Sequence, residues 1–194
     1  MKFQLPKIEV NSPLIIWYAG ISFVILLFGY ATGGKSTLDL FTCYRTAPSD
    51  PMMYIRMISY VLGHADISHY LSNFFLIMLI GPMLEEKYGG KQLFYMMLIT
   101  AFVGGLVNVM ITTDGLRGAS GIAFMMIILC SCTSIKSGRL PLTMIIVVII
   151  YIGQEVVSGV LVKDNISQLT HILGGVCGIF FGLYWKPQSA GSSE

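Results

Sequence analysis

Charge is scarce in this chain. Of 194 residues only 11% are Asp, Glu, Lys or Arg, while 55% are hydrophobic, and mean hydropathy is +0.75. An ordinary soluble domain carries about 25% charged residues, so the composition excludes that class and points to a polytopic membrane protein. The net charge is +2 and no cluster of Lys or Arg is present, which leaves no case for a nucleic-acid partner. Cysteine is sparse too, at positions 43, 130, 132 and 177. Three of the four fall in apolar runs, and Cys130-Ser-Cys132 lacks the two-residue spacer of a redox or zinc motif. Neither a disulfide framework nor a metal site is expected. Internal repeats and low-complexity stretches are missing as well.

What is present is a series of apolar runs. Leu14–Ala31 is long enough to span, because a bilayer core of about 30 Å needs about 20 residues of helix. Gly29-Tyr-Ala31 faintly resembles a signal-peptidase site, but the run is long for a signal sequence and reads as an uncleaved helix. Thr32–Asp50 reads as a polar loop ending in Pro48-Ser-Asp-Pro51, and Met52–Gly63 as an interfacial helix with Arg56 at the water boundary. A loop of this length with structure of its own is usually functional. Further spans are expected at Asp66–Glu86, with a bend at Gly81-Pro82, at Gln92–Ile111, at Ser120–Ile135, at Pro141–Gly159 and at Gln168–Trp185. Gly89 and Gly90 end the second of the six spans, Gly104-Gly105 permits close packing in the third, and Leu161–Ser167 is a polar loop. The whole chain then forms one all-α transmembrane domain, 1–194, with short tails at 1–13 and 186–194. Six spans place both termini on one side. Lys2, Lys7, Lys87, Lys91, Lys136, Arg139 and Lys186 share that side, against Lys35, Arg45, Arg56, Arg117 and Lys163 opposite. The balance favours termini inside.

The fourth span is short. Positions 120–135 as an α-helix measure roughly 24 Å, less than the bilayer core, so Ser120 starts below the outer surface. The backbone leading in, Asp114–Ala119, must then dip into the membrane, where irregular chain is tolerated only inside protein or beside a water-filled cavity. Gly118-Ala-Ser-Gly121 on its own reads better as small residues for helix packing. Ile122 also breaks the Gly-x-Ser-x-Gly pattern of a nucleophile elbow.

At the same depth fall every histidine of the chain, His64, His69 and His171, together with Asn73. Ionisable groups inside a membrane are costly and are functional candidates by default. His171 precedes a smooth stripe, Gly174, Gly178 and Gly182, which lets another helix approach closely. If that helix is the fourth span, Ser120 and His171 come within hydrogen-bond reach, and the imidazole can take the serine proton and return it to a leaving amine. Phe124, one turn beyond Ser120, can pack under the imidazole. A histidine bonded to a nearby carbonyl is the bland alternative. His69 and Asn73 are four apart on one helix face. Asn73, a histidine and the Ser120 amide suit the negative charge that develops on a carbonyl under attack. Zinc on the three histidines competes with this, but neither HExxH nor a nearby acidic ligand supports it. Glu155, the one carboxylate within an apolar run, is read as snorkelling to water, with orientation of His171 or gating as the other option.

Taken in order, Arg56, His64-Ala-Asp-Ile-Ser-His69-x-x-x-Asn73, Glu85-Glu-Lys-Tyr-Gly89, Gly118-Ala-Ser-Gly121 and His171-x-x-Gly174-x-x-x-Gly178 resemble the rhomboid family of intramembrane serine proteases, over about residues 14–185. The resemblance implies a minimal six-span rhomboid-like bundle with a membrane-associated first loop, Thr32–Gly63. It implies a Ser120–His171 dyad without an acidic third member, an oxyanion site from His69, Asn73 and the Ser120 amide, and His64, Gly118, Gly121 and Phe124 near the site. Arg56, Glu85, Gly174 and Gly178 take structural positions, and the fifth span with its following loop corresponds to a substrate gate. No cofactor or metal is implied. The partners are membrane-protein substrates, cut near the outer face, and the lipid bilayer. A bacterial cytoplasmic membrane with both termini cytoplasmic is the expected setting. Departures are Ile55 where tryptophan is frequent, Lys87 where arginine is common, Thr170 where alanine is usual, and the added Asn165-Ile-Ser-Gln168. None removes a reacting atom. Two other readings remain open: a catalytically inactive rhomboid-like protein that binds membrane segments, and a small transporter using the histidines as a proton relay.

Overall fold

The computed structural model describes residues 11–136 and 165–188, with positions 142, 145, 146 and 149 between them. The expected fifth span Pro141–Gly159, its gate and Glu155 therefore lie outside the described residues, apart from four isolated helical positions. The architecture is all-helical: α1 (Pro13–Ala31), α2 (Lys35–Phe41), α3 (Pro51–Ser59) running into a 3₁₀ turn (Tyr60–Leu62), α4 (Ile67–Tyr88), α5 (Gly90–Ile111), α6 (Ser120–Lys136) and α7 (Asn165–Tyr184). Helices α1, α4 and α5 are each long and apolar enough to cross a membrane, and α6 and α7 carry shorter apolar stretches, Ser120–Cys132 and Gln168–Tyr184. Trp17, Val24 and Phe28 of α1 and Leu71, Phe75 and Leu79 of α4 face outward, as a lipid-facing surface requires.

Helix α6 is the hub. Ile122, Ala123, Met125, Met126, Ile127 and Leu129 are all buried, so it is covered on every side, the signature of a helix surrounded by others. Its main neighbour is α7, and α4 and α5 also pack on it. Between apolar helices in lipid the hydrophobic effect gives little drive, so association depends on close backbone approach. Glycine supplies it at the α6–α7 seam. A Cβ at Gly174 would collide with the carbonyl oxygen of Gly121, and one at Gly178 would sit 2.6 Å from the Met125 oxygen.

Glu85, near the end of α4, closes the opposite end of the bundle. Its two carboxylate oxygens accept from the Leu14 N–H at 2.9 Å and the Ile15 N–H at 3.1 Å. These are orphan donors of the first turn of α1, and an anion suits the positive end of the helix dipole. Gly81 lies against Ile15 in the same α1–α4 contact.

Several boundaries differ from the sequence reading. The supposed polar loop Thr32–Asp50 contains α2, entered through Gly33 and Gly34, both at positive φ (62° and 87°), and carrying an i,i+4 pair between Lys35 and Asp39. Arg56 is not at the water boundary. It is 4% exposed, pairs with Asp50 at 3.0 Å and stacks over Tyr44 at 4.2 Å from the ring centre. The loop folds over the guanidinium and supplies a carboxylate, which is what burial of a charge demands. Helix α4 runs through Pro82 to Tyr88. Gly89 alone, at φ 76°, makes the turn, and Gly90 begins α5. Helix α7 starts at Asn165, so the end of the expected loop Leu161–Ser167 belongs to a helical turn above the apolar stretch.

Candidate active site

The segment Thr112–Ala119 delivers Ser120 to the first position of α6. It is irregular chain, exposed at Thr113–Gly115 and Arg117 and buried at Leu116, Gly118 and Ala119, and several of its backbone groups find partners. The Thr112 N–H donates to Asn108 O at 3.0 Å, Leu116 and Cys43 exchange a pair of backbone bonds of 2.8 Å, and the Gly118 N–H donates to Tyr60 O at 3.0 Å. Cys43, expected simply in a loop, is fully buried as one half of this isolated antiparallel bridge. The first loop and the segment before the serine are thus stitched together.

Ser120 and His171 approach the same seam from two sides. Gly121, next to Ser120, meets α7 twice: a Cβ there would lie 2.9 Å from Thr170 Cγ2, and its carbonyl faces Gly174. Thr170 and Gly174 therefore bracket His171 against the start of α6. One turn into α6, the Phe124 ring stacks on the His171 imidazole, with centroids 4.3 Å apart and planes 16° from parallel. His171 is 5% exposed and Ser120 is half-buried. Thr170, the departure from the usual alanine, occupies the gap between two glycines: its Cγ2 is 3.8 Å from a Cβ at Gly104 on α5 and 2.9 Å from one at Gly121 on α6.

The second group comes from α4. Asp66 caps that helix by accepting from the His69 N–H at 2.8 Å, and Tyr30 of α1 accepts from the Ile67 N–H at 2.8 Å. These contacts fix the turn bearing His69, with Asn73 one turn on. Both side chains converge on Gly118: a Cβ at that position would lie 2.6 Å from His69 Nε2 and 3.5 Å from Asn73 Nδ2. Gly118 has φ 118°, a conformation open in practice to glycine. The Asn73 Nδ2 is buried and has no hydrogen-bond partner among the described residues. The Ala65 N–H faces His69 Nδ1 at 3.5 Å. The other ring nitrogen, Nε2, is turned toward Gly118.

His64 lies between the 3₁₀ turn and α4, outside the spanning helices. It is 1% exposed, with ring centroids of His69, Tyr70 and Phe74 at 5.1, 5.5 and 5.6 Å. Burial, helped by the neighbouring His69, lowers its pKa to about 4, and it remains neutral. It backs the His69 ring.

Residues that the sequence reading passed over form the supports. Asn108 donates through Nδ2 to Cys43 O at 3.1 Å and Asp114 O at 3.2 Å. Arg45 bonds the terminal carbonyls of α5, Val109 O and Met110 O, a favourable place for a cation. A polar residue such as Asn108 inside an apolar span was a usable signal.

Among the described residues, no group of His, Cys, Asp and Glu is arranged to hold a metal ion. Comparison with curated proteins found no match. Comparison with family models matches residues 51–188 to the Rhomboid domain. The match spans α3 to the end of α7, and with it the loop arginine, the α4 His–Asn pair, the Ser120 segment and the glycine seam. On that extent of match, the chain is an integral membrane protein belonging to the rhomboid family.

Proposed function

We propose that this protein is an intramembrane serine endopeptidase, in which Ser120 is the nucleophile and His171 its base. The carrying observation is the α6–α7 seam: Gly121 against Thr170 and Gly174, with Phe124 stacked on His171, flanks the serine with an imidazole whose plane is held. In its neutral form His171 takes the Oγ proton as the serine attacks a peptide carbonyl. The same proton then passes to the leaving amine, so the base becomes the acid. A stacked aromatic face restricts the ring without bonding to it, the orienting task that a third carboxylate performs in a triad.

The developing oxyanion needs donors already in place. His69 Nε2, Asn73 Nδ2 and the backbone N–H of Ser120 at the start of α6 are the candidates. Any glycine replacement at Gly118 would fill the space in front of the first two. Water then hydrolyses the acyl-enzyme by the reverse sequence. Substrates are the membrane-spanning segments of other proteins, cut near the outer face, with both termini of the chain on the inner side. Neither step calls for a cofactor.

A fluorophosphonate probe tests the reading. Ser120→Ala is expected to abolish labelling, while Ser131→Ala, whose hydroxyl bonds Ile127 O within α6, keeps it. Folded wild-type protein that fails to label would instead indicate an inactive membrane-segment binding protein. A transport activity surviving Ser120→Ala would indicate a proton relay.

A further inference from the structure

Among the described residues one side chain from outside it bonds the segment that delivers Ser120, and we infer that Asn108 is a positioning residue for the nucleophile. This rests on the proteolytic reading above.

Asn108 lies near the end of α5 and is 3% exposed. Its Nδ2 carries two hydrogens, and each finds a carbonyl, Cys43 O in the first loop and Asp114 O in the segment before Ser120. Two acceptors define which end of the carboxamide faces them, because only the amine can donate. The Oδ1 on the other end is buried without a partner among the described residues. A buried acceptor left unbonded costs free energy, so the orientation is held by its two bonds and not by mutual satisfaction of the whole group.

The consequences run along the chain. Cys43 O accepts from both Asn108 and the Leu116 N–H, and the Leu116 O accepts from the Cys43 N–H at 2.8 Å. Two residues further, the Gly118 N–H bonds Tyr60 O at 3.0 Å, and two beyond that stands Ser120. Among the described residues Asp114 and Gly115 are exposed. Without the Asn108 carboxamide, the stretch between the Thr112 N–H bond at the end of α5 and the Cys43–Leu116 bridge would lose its tie at Asp114. The serine would then gain freedom along the α6 axis, in the direction that sets its height against His171 and the His69–Asn73 pair. The two bonds donated by the Asn108 side chain go to Cys43 O and Asp114 O, neither of them a proposed reacting group. Its effect passes through the backbone.

The test is Asn108→Leu, which keeps the side-chain shape and removes both donors, assayed with a fluorogenic peptide bearing one apolar span and with a fluorophosphonate. A misplacement on the order of 1 Å costs about 100-fold, so kcat is expected to fall about 10–100-fold with KM unchanged, and labelling to slow in proportion. A covalent substitute should reverse the loss. Cys43 and Leu116 exchange both backbone bonds, so they form a hydrogen-bonded antiparallel pair, whose Cα atoms lie about 5.5 Å apart, within disulfide range. Adding Leu116→Cys to Asn108→Leu and oxidising should join Cys43 to the new thiol and restore kcat, and dithiothreitol should remove the gain. Prepared already oxidised, the double variant serves if Asn108→Leu alone does not fold: kcat lost on reduction, with the protein still folded, supports the tether. An active wild type with an equally active Asn108→Leu, a change confined to KM, or no response to the disulfide overturns it. A wild type that neither labels nor cleaves overturns the proteolytic reading first.

Discussion

Gly174 and Gly175 are neighbours on α7, and their replacement by alanine should have opposite results. A Cβ at Gly174 would overlap the Gly121 carbonyl oxygen and lie 3.0 Å from its carbon and 3.2 Å from its Cα. Carbon atoms rest at about 3.5–4.0 Å, and none of these atoms belongs to a side chain that can turn aside. The α6 and α7 backbones must therefore part by roughly 0.5–1 Å at the level of Ser120 and His171. Overpacking of this kind costs about 1–3 kcal/mol of stability, and a catalytic pair displaced by about 1 Å loses about 100-fold in rate. At Gly175 the nearest atom to a Cβ is Ile128 Cγ1 at 3.8 Å, ordinary contact. There alanine should stabilise the helix by about 0.5–1 kcal/mol and leave the rate alone. The assay is cleavage of a single-span reporter in proteoliposomes, with thermal unfolding of both variants in detergent. Should folded Gly174→Ala cleave as fast as Gly175→Ala, the seam does not set the geometry of the pair and the reasoning fails.

Other outcomes follow from the same contacts. Gly118→Ala places a methyl 2.6 Å from His69 Nε2 on a backbone at φ 118°, so kcat should fall steeply; an unchanged kcat would remove His69 and Asn73 from the oxyanion role. Glu85→Gln exchanges an acceptor for a donor facing the Leu14 and Ile15 N–H groups, and should lower stability by about 1–3 kcal/mol in a denaturation series. His64 has a folded pKa of about 4, below its ordinary value of about 6.5. Between those limits the unfolded chain binds more protons, so stability is full above about pH 6.5 and declines as pH falls toward 4. His64→Phe should flatten part of that slope when unfolding temperature is followed against pH.

The helices were legible because hydropathy over a long run needs no tertiary knowledge. The glycine seam could be read because a four-residue repeat marks one face. Arg56 could not be placed, since its burial depends on Asp50 and Tyr44 folding back over it, which no periodicity records. The same holds for α2, whose seven residues are too few for a periodic signal. Ser120, His69, Asn73 and His171 stood out as polar groups in apolar surroundings. Asn108 carried the same mark, but its partners are backbone carbonyls, and a carbonyl has no identity in a sequence.

The carboxylate of Glu85 reaches back 71 residues to the Leu14 N–H, and this has a consequence for biosynthesis. Chains emerge at about 5–20 residues per second, so the first span waits several seconds for the group that seals its leading end. Through that interval solvent must satisfy its open amides. When Glu85 arrives, the intervening stretch is closed into a ring, with α2, α3 and the Arg56 cluster inside it. The lateral loop is therefore trapped by the later half of the same hairpin, and its shape is settled only after the second span has been laid down.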